Sequence, residues 1–289
     1  MLYLFIAYLT TYILWPALWR APLKHLINTF HVMSQFPAHD VLYLGNSFSS
    51  QELPWHFFPR LILIQLTEPA LLLFALGIIL FFLLKKAREN FCTPEMIVII
   101  VWFTIPFAGV VFLGLPSYGN FRHYLFSLPP IFIIGGAGLD WLLKLTRRLT
   151  LRIGLVILLL IPGTISLVQL HPYEYIYYNS LVGGVKGAEG YYELDYWCTS
   201  YREAVEYVNR HAPDASRVVA WGPTTTARIF ARSDLLIMTE AEVEETPDYA
   251  LACDNALYNS GYYTTFETLY EVKVDGAVIS RIKKAPAGH

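Results

Sequence analysis

Long apolar runs separated by short polar connections fill the first 170 residues, and short segments of alternating character fill the rest. An α-helix needs about 20 apolar residues to cross a hydrocarbon core. Five stretches supply them, at about 2–18, 61–84, 96–115, 123–143 and 153–170. Between the first two, Leu23, Leu26, Ile27, Phe30 and Met33 recur at helical spacing, while Lys24, His25, Asn28, Thr29, His31 and Gln35 take the other face. That period predicts an amphipathic helix over 22–36 lying in the membrane surface. Trp15 and Trp19 before it, and Trp55, Phe57 and Phe58 after it, fit an interfacial aromatic belt. Glu68 stands about a third of the way into the second run, followed by Pro69. An intramembrane carboxylate costs about 2–3 kcal/mol, so both should face a cavity between helices.

From Thr199 the pattern becomes that of a water-soluble unit. Ala204, Val205 and Val208 mark a helix running to about Arg210, and the β-branched run at 217–221 is a strand ended by Gly222-Pro223. A helix near 225–232 and strands at 235–238, 248–253, 268–274 and 277–283 follow, the last two joined by Asp275-Gly276, a type I′ hairpin signal. The expected fold is an α-helical polytopic membrane bundle of about five transmembrane helices over 1–170, then a small α/β extracytoplasmic domain with a mixed sheet over 171–289.

Charge separates these regions and orients the first. Residues before His171 carry eleven Lys and Arg against six Asp and Glu, and those from His171 onward ten against seventeen. Lys85, Lys86 and Arg88 fill one connection, and Lys144, Arg147, Arg148 and Arg152 another. The positive-inside rule places both in the cytoplasm. The N-terminus is then cytoplasmic and the acidic domain lies outside the plasma membrane. The first run has no basic n-region and no small-residue cleavage site, so it is expected to be retained. With 55% hydrophobic and 15% charged residues the chain is too apolar for an ordinary soluble or disordered protein, and no basic tract suits nucleic acid. Cys92 adjoins a cytoplasmic loop, whereas Cys198 and Cys253 share the outer compartment, where either a disulfide or buried thiols are chemically allowed. No zinc-type ligand spacing and no P-loop occurs, so no cofactor is indicated.

Candidate chemistry gathers at the outer ends of the runs. FRHYLFSLPP places Arg122, His123 and Tyr124 at the mouth of the fourth, where the positive-inside rule does not account for a cation. Arginine there can clamp a phosphate bidentately, with histidine and tyrosine as further donors. LPWHFFPR adds Trp55, His56 and Arg60. HPYEYIYYNSLVGG puts Tyr173, Tyr175, Tyr177, Tyr178 and Asn179 at the surface, and GYYELDYWCTSY follows. Aromatic faces beside carboxylates and amides suit a sugar ring. The alternative is a set of headgroup anchors and a Tyr/Trp belt that seats the outer domain.

The succession YLGNSFSSQELPWHFFPR, GNFRHYLFSLPP and HPYEYIYYNSLVGGVKGAEGYYELDYW resembles the C-terminal half of GT-C superfamily membrane glycosyltransferases, in the group of protein mannosyltransferases and lipid A aminoarabinose transferases. The resemblance implies transfer of a sugar from a polyprenyl-phosphate donor on the outer membrane face. It places the carrier phosphate at Arg122 and His123, beside Tyr124, and the lipid entrance at Trp55 and His56. A divalent metal is implied only for the complete enzyme. The family carries about twice as many spans and an acidic residue in the outer loop after its first helix, with no equivalent here. Asp40 and Glu52 lie in a loop that aligns with a later one, and Glu193 and Asp195 are expected to seat the acidic domain. The chain is thus expected to be an incomplete enzyme that works with membrane lipids and an upstream-encoded N-terminal half. The competing expectation is a non-catalytic membrane anchor presenting the acidic domain as a binding or assembly module.

Overall fold

The computed structural model describes residues 2–34, 38–83, 93–113, 116–253, 257 and 263–286. It is mostly helical, with a small C-terminal sheet domain. The chain divides into two compact units, Met1–His39 and Asp40–His289. The basic connection at Lys85, Lys86 and Arg88, and Cys92, lie outside the described residues.

In the first unit α1 (Leu2–Leu14) ends earlier than the apolar run does, because Pro16 disfavours helical geometry at Trp15. A 3-10 turn, Pro16–Leu18, follows, and Trp19 Nε1 donates back to the Tyr12 carbonyl at 2.8 Å. At 13 residues α1 is about 20 Å long, short of a full hydrocarbon core. The amphipathic period becomes α2 (Pro22–Ser34), opened by a proline at a position where no N–H is needed. Leu23 and Ile27 on its apolar stripe are exposed within the unit.

The second unit opens with a hairpin that hydropathy did not indicate, β1 (Asp40–Tyr43) against β2 (Asn46–Ser49). Its turn bonds to a later segment through Gly45 N–H and the Tyr191 carbonyl at 3.1 Å. The predicted span over 61–84 is not one helix. It consists of α3 (Phe57–Gln65) and α4 (Glu68–Leu83), bent by 118° at Leu66–Thr67. Mean hydropathy over the run carries a continuous span past Gln65, Thr67, Glu68 and Pro69, but the break is held by Asn179, which comes from far along the chain. Its Nδ2 donates to the Leu63 and Leu66 carbonyls at 2.7 and 2.8 Å, and its N–H to Ile64 at 2.8 Å. These bonds satisfy the carbonyls that a helix end leaves orphaned. Glu68 therefore opens α4 rather than lying inside a span, and its Oε1 accepts the Ser180 N–H at 2.8 Å. Pro69 falls in a first turn, where proline is tolerated.

Next come α5 (Pro94–Leu113), a 3-10 segment Arg122–Ser127, α6 (Pro129–Lys144) and α7 (Leu149–Leu170). The expected helix at 123–143 begins only at Pro129, since consecutive prolines start a helix readily but cannot continue one. At the other end α7 runs one turn further than the apolar stretch, taking in Arg152. By length and apolarity two helices, α5 and α7, can cross a membrane, and the bent pair α3–α4 makes a third if counted as one span. At 16 residues each, α4 and α6 are about 24 Å long. They touch backbone to backbone. A Cβ added at Gly77 would stand 2.3 Å from the Ile134 carbonyl oxygen, and one at Gly138 2.6 Å from that of Leu73.

After α7 the chain winds through 3-10 turns and α8 (Gly184–Ala188) into α9 (Tyr201–His211), β3 (Arg217–Ala220), α10 (Thr224–Phe230), β4 (Leu236–Met238), β5 (Tyr249–Cys253), β6 (Glu267–Val274) and β7 (Ala277–Lys284). The sheet order is β4-β3-β5-β7-β6, with β4, β3 and β5 parallel and β5, β7 and β6 antiparallel. Asp275 and Gly276 turn the last hairpin with φ of 49° and 77°, as a type I′ turn requires. Tyr201, Ala204, Val205 and Val208 of α9 are buried, and Cys198 is bonded to Cys253. Their core is continuous with the hairpin and with α3 through Tyr43, Phe57, Phe58 and Leu61.

Candidate functional site

Two loops form the site. The chain entering the Arg122–Ser127 segment turns through Gly119 and Asn120, both left-handed with φ of 62° and 55°. A Cβ at Gly119 would meet the Tyr196 ring at 3.2 Å and Arg122 Cζ at 3.4 Å, so glycine lets both side chains lie across the turn. The second loop, 193–200, holds the first. Glu193 Oε2 accepts the Gly119 N–H at 3.0 Å, and its carbonyl accepts Asn120 Nδ2 at 3.1 Å and the Tyr178 hydroxyl at 2.9 Å. Asp195 ties the second loop to itself. It accepts the N–H groups of Thr199 and Ser200 at 2.8 and 3.1 Å, together with the hydroxyls of Ser200 and Tyr175. Burial pushes the Asp195 carboxyl above its ordinary range, against the opposing pull of its bonds from Ser200 and Tyr175. Burial, and next the Asp195 charge, raise the Tyr175 hydroxyl as well. The disulfide at Cys198 fastens the loop to β5.

What these loops hold is Arg122. Its Cζ lies 4.4 Å from the Trp197 ring centroid, 4.8 Å from Tyr118 and 5.7 Å from Tyr196. Nε and Nη2 point at His123 Nε2, at 3.3 and 2.9 Å. Because arginine only donates, that nitrogen carries the lone pair and the imidazole proton sits on Nδ1. None of the ion pairs among the described residues involves Arg122. A guanidinium stacked by its faces keeps in-plane N–H groups for an oxyanion, and the aromatic walls favour the cation without neutralising it. Arg122 is half-buried, His123 exposed, and Trp197 is 52% exposed.

The other expected site residues have different surroundings. Tyr124 is buried, its ring 4.5 Å from Phe58, so it packs rather than donates beside Arg122. Phe57 and Phe58 are core residues at 1% exposure, not an interfacial belt, because α3 packs into the core shared with the C-terminal sheet domain. His56 Nδ1 lies 2.6 Å from the Tyr43 hydroxyl, and Trp55 stands exposed, edge-on to His56. Burial, then the neighbouring Tyr192, push the Tyr43 hydroxyl up to about 12. Arg60 donates to the Tyr192 hydroxyl at 3.2 Å. Arg122 and His123 thus come together, while Trp55 and His56 form a separate pair. Phe58 connects the two sides, through Tyr124 and through Phe57, which packs on Tyr43. Tyr173, Tyr178 and Asn179, expected at the surface, are buried; Asn179 caps α3, and Tyr178 joins the two site loops.

Tyr118, Tyr196 and Trp197 as walls of an arginine cage were not legible in the sequence. GYYELDYWCTSY marks Tyr196 and Trp197 as sugar-type aromatics, but nothing local ties them to a cation 75 positions earlier than Trp197. Among the described residues no group of three or more His, Cys, Asp or Glu is placed to hold a metal ion. No family model, curated protein or solved structure matches the chain.

Proposed function

We propose that the chain is a module of a membrane glycosyltransferase of the GT-C type, binding a polyprenyl-phosphate-linked sugar on the outer face of the plasma membrane. The observation that carries this is the caged Arg122, a half-buried cation with an aromatic wall and no ion-pair partner among the described residues. The donor phosphate takes the guanidinium edge. Arg122 and His123 stabilise the charge that grows on the departing polyprenyl phosphate, and Trp197 and Tyr196 offer faces to the sugar ring. In this topology the apolar stretch 2–18, made of α1 and the turn after it, crosses the membrane together with α4, α5, α6 and α7, with the N-terminus cytoplasmic and the sheet domain outside. Glu193 and Asp195 are buried and occupied in holding loops, so neither is assigned to deprotonate the acceptor.

Replacing Arg122 tests the assignment. Arg122→Lys exchanges a planar fork for a point charge and should weaken binding of a polyprenyl-phosphate sugar in nanodiscs by about 1–3 kcal/mol, roughly 5- to 150-fold. Unchanged affinity in a folded variant would reduce Arg122 to a headgroup anchor.

A further inference from the structure

Two cavities lie end to end along one face of α7. One, of about 300 Å³, is a half-open groove bounded by α4, α6 and α7 and lined by Leu73, Gly136, Leu139, Val156, Leu159 and Leu160. The other, of about 390 Å³, shares Thr67, Leu159 and Leu160 with it and continues to Leu170 and Tyr177. Arg152 precedes Val156 by one helical turn on the same face of α7. Its Nε donates to the Thr146 carbonyl at 2.9 Å, which holds the guanidinium across the α6–α7 turn. Arg147 and Arg148 sit in that turn, both exposed. Asp140 is the single acidic residue between His123 and Tyr173, and it is paired with Lys144 at 2.5 Å. None of the three arginines enters an ion pair among the described residues.

We propose that this end of the bundle binds an anionic phospholipid, its phosphodiester head on Arg147, Arg148 and Arg152 and one acyl chain in the cavity between α4, α6 and α7. Each half of the site selects the other half of the ligand. A soluble anion has nothing to place against Leu139, Val156 and Leu159, and a zwitterionic lipid brings no net charge to three guanidiniums that enter no ion pair among the described residues. Arg122 precedes α6 and these arginines follow it, so the lipid site does not depend on the glycosyltransferase assignment.

Gly136 supplies a clean way to fill the cavity, since a Cβ there meets no atom within 4 Å. The experiment offers equimolar phosphatidylglycerol and phosphatidylcholine to the full chain in detergent and reads the retained lipid by native mass spectrometry, with circular dichroism confirming that each variant is folded. Phosphatidylglycerol should be retained preferentially. Arg148→Gln and Arg152→Gln should each lower its retention about five-fold, leaving phosphatidylcholine unchanged. Arg152→Lys should restore most of the loss, Gly136→Leu should lower retention of both lipids, and Lys24→Gln in α2 should have no effect. Equal retention of the two lipids by the unaltered chain would overturn the proposal. So would arginine variants that bind as before, or a Lys24→Gln loss as large as theirs.

Discussion

Replacing Gly138 or Gly77 with alanine tests the close backbone approach of α4 and α6. A methyl group at 138 would stand 2.6 Å from the Leu73 carbonyl oxygen and 3.1 Å from the Gly77 nitrogen; one at 77 would stand 2.3 Å from the Ile134 oxygen. Ordinary van der Waals contact begins near 3.4 Å, so α4 and α6 must separate by about 1 Å in either variant. Both obstacles are backbone, which cannot rotate away. Overpacking of this kind costs about 1–3 kcal/mol, while alanine gains up to about 1 kcal/mol of helix propensity over glycine. Gly138→Ala and Gly77→Ala should therefore come out destabilised despite the better helix former. Gly136→Ala, on the same helix with nothing within 4 Å, should be neutral or slightly stabilising. Reversible unfolding in mixed micelles gives all three values under one condition. If Gly138→Ala and Gly77→Ala matched Gly136→Ala, the close backbone approach would be refuted, and with it the small-residue packing of this pair.

Asn179→Ala removes the cap of α3 and strands the Leu63 and Leu66 carbonyls; a loss of about 2–3 kcal/mol is expected in the same unfolding assay, and a loss under about 0.5 kcal/mol would mean that the helix break does not need the cap. Arg232 holds the Asp234 carboxyl down at about 2, chiefly through its side-chain hydrogen bonds. A depressed acid contributes stability that is present above its unfolded range and lost as pH falls through the folded value. Arg232→Gln should accordingly flatten the part of the acid-induced fall in thermal midpoint between about pH 4 and pH 2, and an unaltered profile would show the pair to be inert. Cysteine placed at position 87 should be labelled only from the cytoplasmic side and cysteine at position 275 only from outside; the reverse pattern would end the proposed orientation.

Neighbouring residues alone determined the apolar runs, the amphipathic period of α2, the α9–β3–α10 succession and the Asp275-Gly276 turn, because hydropathy, helical period and turn preference act over a few positions. They also marked Arg122 as a cation that the positive-inside rule does not account for. The broken helix was beyond them: Glu68 and Pro69 stood out, yet the surrounding run is apolar enough on average to be read as one span, and the bend is held by Asn179, more than a hundred residues later, which satisfies the carbonyls it exposes. Glu68 changed place for the same reason, from the interior of an imagined span to the first turn of α4, bonded to Ser180. Phe57 and Phe58 read as interfacial aromatics, and Tyr124 as a donor beside Arg122, until the packing of α3 into the core shared with the sheet domain buried them. The cage of Tyr118, Tyr196 and Trp197 around Arg122 depends on Glu193 reaching the Gly119 N–H and on the bond between Cys198 and Cys253. Such pairings join residues with no sequence relation to one another. Only the packed chain brings their hydrogen-bond and ring contacts into range.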